Sequence, residues 1–285
     1  MTAEVLKYAA FTDGGRGGNP AGVVLDARTL TDAQMLAIAD AIGFSETAFV
    51  TDGGHHLRFF SPKAEVAFCG HATIAAAVAL AERDGYGDRE LDTAAGRLTV
   101  ETSPGPGGPQ ATLTSPLTST RAAPASVVAE ALAALGWDNG ELDPSYPVHV
   151  ANAGNDHLVV GLARLETLAR FDYDYEALSA LMVREGWTTV HAFVAQGSAE
   201  FRVRNAFPPG GIREDPATGA AAAAFTGYLR DRGLLPPTGR ITIHQGVELG
   251  RPSLIEAGSA PGGRVRVSGT ATRLALSPYD ELDCH

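Results

Sequence analysis

Cysteine, basic charge and long apolar runs are what this sequence has least of, and each shortage removes a class of protein. Its two cysteines, Cys69 and Cys284, are too few for a disulfide framework, and a reducing cytoplasm fits them. A structural zinc site of four cysteines, or of two cysteines and two histidines, is out of reach for the same reason. Lys and Arg number 22 against 33 Asp and Glu, the net charge is −11, and no basic run occurs. Nucleic-acid binding needs clustered cations, so no nucleic-acid partner is expected. The acidic balance reads as a solvated surface. The most apolar windows, Thr73–Ala81 and Ala217–Phe225, fall well short of the ~20 residues that cross a bilayer. The opening MTAEVLKYAAFTDGG lacks a charged stretch followed by an apolar one, so neither a signal peptide nor a membrane partner is expected.

What is present is a chain of 285 residues, 45% hydrophobic and 19% charged, enough for a packed core and, by size, for two domains. Strand signals appear at Val5–Phe11 and Ala21–Asp26, around the Gly-rich turn GGRGGNP. The segment TDAQMLAIADAIG reads as a helix, with Thr31 and Gln34 as a capping box and Gly43 as its stop. Strands are expected at Phe44–Val50 and His56–Pro62, then a helix entered near Ala72 and ended by Gly85. Strands at Gly96–Thr102 and Gln110–Pro116 flank a turn, PGPGGP. After the helix ASVVAEALAALG the order repeats: strand, helix, two strands, a loop entering an Ala-rich helix, and final strands ending near Leu276. LRFFSP…FCGHATIAAAVAL lines up with FRVRNAF…EDPATGAAAAAFTGYL, and GRLTV with GRITI. The period is too long for a solenoid, so a duplicated α+β domain is expected. The halves are placed at 1–118 and 119–285, with the last strand packing back on the first half.

Three places offer chemistry. Glu46, in GFSETAFV, would share a strand face with Phe44 and Ala48. A carboxylate among apolar neighbours loses hydration and becomes able to hold and return a proton near neutral pH. Taken alone, an exposed strand-end Glu capped by Ser45 and Thr47 is the plainer reading. The run Cys69-Gly70-His71-Ala72-Thr73 sits where a loop enters a helix. Unpaired N–H groups and the positive helix end can hold a carboxylate there, Gly70 permits close approach, and His71 could relay a proton. A loop His beside a buried Cys is the plainer reading. The third place, Glu214-Asp215-Pro216-Ala217-Thr218-Gly219, is the matching junction of the second half. Pro216 suits a first helical position with Asp215 as its N-cap, and capping could be all that Asp215 does. Two such helix ends facing one cleft would gather Glu46, His71 and Asp215 on one ligand. No phosphate loop, H-x-x-x-H or G-x-S-x-G pattern is present.

Together FTDGGRGGNPAGVV, GFSETAFV, FSPKAEVAFCGHAT, REDPATGAAAAAFTGYL and HQGVELGRPS resemble the PhzF family of phenazine biosynthesis, in family order and across nearly the whole chain. The resemblance implies the diaminopimelate-epimerase-like fold, with two pseudo-symmetric α+β domains, each a curved, mostly antiparallel sheet around a central helix. It implies a cofactor-free, metal-free isomerase that moves a proton on a small carboxylate-bearing metabolite of the dihydro-hydroxyanthranilate type. Glu46 would be the acid/base, with His71 and Asp215 assisting. Asn19, Ser45, Cys69, Gly70, Ala72, Thr73, Thr218, Gly219 and Ala220 would surround the substrate. A homodimer is the assembly the resemblance implies. Cysteine-type epimerases of this fold carry one of two catalytic thiols at the Cys69 position, and the second would match Asp215. Where the family often has Ser, this chain has Ala220. An amino- or imino-acid epimerase and a non-catalytic metabolite binder stay open beside the isomerase.

Overall fold

Small side chains decide the architecture. The computed structural model describes residues 3–105 and 107–275; Cys284 and the predicted strand end at Leu276 lie outside them. The described backbone divides into two compact units, residues 3–114 with 268–275, and residues 115–267.

The first unit runs β1 (Leu6–Ala10), β2 (Asn19–Val24), α1 (Asp32–Ile42), β3 (Thr47–Val50), β4 (Leu57–Phe60), β5 (Glu65–Val66), α2 (Gly70–Asp84), β6 (Gly87–Thr93), β7 (Gly96–Gly105) and β8 (Gly108–Thr114). β1 and β2 are antiparallel, β2 and β3 parallel, and β3, β4 and β5 antiparallel in turn. β6, β7 and β8 form an antiparallel meander. α2 packs on β1, β2, β3, β7 and β8, and every residue from His71 to Ala81 is buried. Its run ATIAAAVALA offers methyl groups on most sides, so strands approach it from several directions without leaving voids. α1 carries the expected capping box: Gln34 N–H donates to Thr31 Oγ1 at 3.3 Å and Thr31 N–H to Gln34 Oε1 at 2.9 Å. It stops at Gly43, whose φ of 70° is the left-handed cap glycine tolerates best.

The second unit runs β9 (Ser119–Ala122), α3 (Ala125–Leu135), β10 (His149–Asn152), β11 (Asp156–Gly161), α4 (Leu165–Ala169), α5 (Tyr175–Glu185), β12 (Trp187–Ala195), β13 (Glu200–Ala206), β14 (Glu214–Asp215), α6 (Gly219–Asp231), β15 (Arg240–Gln245) and β16 (Ser253–Ala260). The last strand, β17 (Arg264–Arg273), begins in this unit and ends in the first, where it pairs antiparallel with β1. The pairings repeat those of the first unit. β10 and β11 are antiparallel, β11 and β12 parallel, and β12, β13 and β14 antiparallel in turn. α6 stands where α2 stood, buried from Ala221 to Leu229 against β9, β10, β11, β12 and β16.

Three boundaries next to the predicted site residues differ from the sequence reading. α2 starts at Gly70, two residues before Ala72, with Cys69 as its N-cap. β3 starts at Thr47, so Glu46 precedes the strand and shares no alternating face with Ala48. All four β3 residues are buried, with α1 and α2 both packed against the strand, so a charged side chain survives only at its end. α6 starts at Gly219 with Thr218 as N-cap, and Asp215 is the last residue of β14, so Pro216 is not a first helical residue.

In the second unit His157 on β11 and His191 on β12 are fully buried. His157 Nδ1 and Thr189 Oγ1 share a 2.8 Å hydrogen bond, and the His191 ring lies 4.8 Å from that of Phe225. Burial pushes His157 down to about 4 and His191 to about 3, from an ordinary 6.5. Both are therefore neutral in the fold near pH 7. On acidification the unfolded chain takes up protons first, below its ordinary value. This contribution is whole above pH 6.5 and is lost as pH falls toward 4 and 3. Urea midpoints should drop between pH 7 and pH 4, and the drop should be smaller in His191→Asn.

Candidate active site

The first unit gathers Ser45, Glu46, Cys69 and His71 at the start of α2. β4 and β5 close a tight hairpin in which Ser61 N–H donates to Ala64 O at 2.9 Å. The chain then turns through Phe68 into Cys69. Cys69 makes no side-chain cap. Thr73 serves the junction instead: its N–H and its hydroxyl both donate to Cys69 O, at 3.0 and 2.6 Å. Fully buried, Thr73 fixes the helix start and has no hydroxyl proton left for a substrate. Ala72, also predicted to line the substrate, is fully buried as well.

Glu46 comes to this helix end from the other direction. Its carbonyl accepts from Gly22 N–H at 3.2 Å, which ties it to β2. Its carboxylate Oε2 lies 3.4 Å from His71 Nε2. Ser45 Oγ lies 3.3 Å from the same nitrogen. Cys69 Sγ is 3.3 Å from His71 Nδ1 and 3.8 Å from Nε2. The imidazole thus has a carboxylate at one nitrogen and a thiol close to both, with only 8% of its side chain exposed against 17% for Glu46. Asn19 heads β2 and is buried in the same unit.

The second unit holds the other group. Arg204 Nε donates to Glu214 Oε2 at 2.8 Å and stacks over Phe171, which pins β14. Asp215 pairs with Asn205 through the backbone. Its Oδ2 accepts from Thr218 Oγ1 at 2.7 Å. Gln245, not among the predicted site residues, locks this turn. Its Nε2 donates to Asp215 O at 2.6 Å and to Thr218 Oγ1 at 3.0 Å, while its Oε1 accepts from Thr218 N–H at 3.2 Å. The signal for it was the HQG stretch, which carried the family likeness but no role. Thr218, with N–H and hydroxyl both engaged, positions Asp215; Gly219 and Ala220 stay partly exposed. The neighbouring Gly246 has φ of 73°, and a Cβ there would lie 2.6 Å from Pro216 O, so the turn after β15 presses directly on this loop.

The two helix starts correspond by register. Glu65-Val66 matches Glu214-Asp215, each ending four residues before its helix starts. Cys69 then matches Thr218, Gly70 matches Gly219, and His71 matches Ala220. The residue in the place of Cys69 is therefore Thr218, and Asp215 stands in the place of Val66.

Comparison with known proteins fits this arrangement. A family profile, PhzC-PhzF, described as "Phenazine biosynthesis-like protein", matches residues 8–276. An "Uncharacterized isomerase" of Deinococcus radiodurans is 35% identical, over 94% of this chain and 90% of its own. A trans-2,3-dihydro-3-hydroxyanthranilate isomerase of Pseudomonas chlororaphis is 32% identical, over 87% of each chain. The crystal structure of a Bacillus anthracis phenazine biosynthesis protein of the PhzF family superposes with a TM-score of 0.85, covering 96% of this chain and 98% of that one at 24% identity. Fold and relatives together define an isomerase built on the diaminopimelate-epimerase-like scaffold. The chain belongs to the PhzC-PhzF family.

Two outcomes test the geometry. A Cβ on Gly70 would meet nothing within 4 Å, so the space before α2 is open. Gly70→Ala should leave the urea midpoint unchanged or raise stability by up to about 1 kcal/mol, while raising KM by crowding a bound carboxylate. Gln245→Leu strands the Asp215 carbonyl and the Thr218 N–H. It should cost ~1–3 kcal/mol in urea unfolding and lower activity with it.

Proposed function

We propose that this protein isomerises a small carboxylate-bearing metabolite by moving one proton, with Glu46 as the acid/base. The observation that carries the reading is the 3.4 Å approach of Glu46 Oε2 to His71 Nε2 at the start of a buried helix. As carboxylate, Glu46 takes a proton from an acidic C–H of the substrate. The electron pair left behind moves into the adjoining unsaturated system. Glu46 then returns the proton at another carbon, so no atom is gained or lost and no oxidant is required. His71 holds the carboxylate in place and, when protonated, stabilises its charge. The first N–H groups of α2 have no partner within the helix and carry its positive end, which suits a substrate carboxylate. Asp215 is the second carboxylate that the family resemblance assigns to the reaction. A dihydro-hydroxyanthranilate is the first substrate to try, because relatives carry that activity in their names. A two-thiol epimerase has less support, since neither Asp215 nor Thr218 is a thiol.

The test is isomerisation in deuterated buffer with trans-2,3-dihydro-3-hydroxyanthranilate and related unsaturated amino acids. The wild type should wash deuterium into product, and Glu46→Gln should lose ~10²–10⁴ of the rate. Equal exchange by both proteins would remove Glu46 from the mechanism.

A further inference from the structure

The Glu46, Cys69 and His71 cluster has chemistry that proton transfer does not use. One ligand atom from each lies within 4.8 Å of the others. Thiolate, imidazole and carboxylate form a donor set suited to zinc and its neighbours rather than to magnesium or calcium. Bond lengths of ~2.3 Å to sulfur and ~2.0–2.2 Å to nitrogen and oxygen, at tetrahedral angles, put ligand atoms ~3.4–3.6 Å apart. His71 Nε2 is 3.4 Å from Glu46 Oε2 and 3.8 Å from Cys69 Sγ, close to that spacing, and Cys69 Sγ, which lies 3.3 Å from Nδ1, must turn about its Cα–Cβ bond to face the Nε2 lone pair. The three side chains come from two backbone segments that the fold already holds: the β2-anchored residue before β3, and the first turn of α2. Thr73 fixes the second of these through Cys69 O. A Cβ on Gly70, the residue between Cys69 and His71, would meet nothing within 4 Å, and water would complete the coordination as the fourth ligand.

We propose that Glu46, Cys69 and His71 form a three-ligand site for a thiophilic divalent cation, zinc foremost, and that filling it blocks the isomerase. The binding half stands on the geometry. The blocking half rests on the proton transfer proposed above, because the metal takes the Glu46 oxygen and the His71 nitrogen which that step needs. As the metal–sulfur bond forms, the thiol proton leaves to solvent; nothing is oxidised or reduced. Cys69 thereby has a use that neither helix capping nor acid/base chemistry gives it.

Metal-free full-length protein is titrated with Co²⁺, and Zn²⁺ affinity is measured against a chromophoric chelator. One equivalent of cobalt should produce a near-ultraviolet sulfur-to-metal band that survives Cys284→Ser and disappears in Cys69→Ser. Circular dichroism and melting of the metal-free variants control for folding. Supporting groups around a metal are worth ~10–100-fold in affinity, so loss of a direct ligand in Cys69→Ser or Glu46→Gln should weaken zinc by about tenfold or more. No band in the wild type, or an equal band in Cys69→Ser, overturns the site. Zinc should stop deuterium exchange by the wild type and a chelator should restore it; exchange that continues under saturating zinc overturns the blocking. A cobalt band at Cys69 in a protein that exchanges no proton would uphold the metal site and dismiss the catalytic reading instead.

Discussion

The constraint behind everything else is the narrow space left for a helix when strands curl around it. Only a helix of small residues fits, and α2 and α6 meet that demand with runs of alanine. Close packing on most sides removes water from the middle of each helix, while Gly70, Gly219 and Ala220 at the starts stay partly exposed. The first N–H groups of each helix lie at that less enclosed end. Glu46, Ser45 and Cys69 all approach His71 there. Catalytic potential in this fold is a by-product of how tightly an alanine helix can be wrapped.

The hydrogen-bond pattern around Asp215 follows from the same enclosure. Its loop leaves β14, which Arg204 secures through Glu214, and Gln245 bonds it again before α6 begins. Buried backbone groups in such a turn must find partners, and a Gln side chain supplies an acceptor and a donor at once. Gly246, with no room for a side chain, lets that turn come close enough. The placement of the carboxylate therefore rests on Arg204, Gln245 and Gly246, each remote from Asp215 in sequence or outside its turn.

Much of this was readable from the residues. The α1 capping box, the stop at Gly43 and the duplicated order of elements follow from local rules that tertiary packing did not override. The association of Glu46 with the Cys69–His71 run came from pattern and resemblance, and the fold brings those side chains within hydrogen-bonding range. What escaped was of two kinds. β6 and β9 are polar and largely exposed, so no alternation of apolar residues marked GDRELDT or STRA as strands. Asp215 was read as an N-cap because D-P is a common helix opening, whereas its pairing with Asn205 moves the start of α6 on to Gly219. The HQG stretch marked Gln245 only as part of the family likeness, and its role was hidden because its partners lie 27 and 30 residues away.

The matched register of the two helix starts has an evolutionary reading. After duplication both halves inherited the same socket ahead of the same kind of helix. One copy now holds an imidazole at His71, and the other a methyl group at Ala220. Divergence could act on one position at a time, because backbone and packing were already paid for twice over. A scaffold of this sort keeps a spare seat: new chemistry can be tried in one half while the other preserves the old.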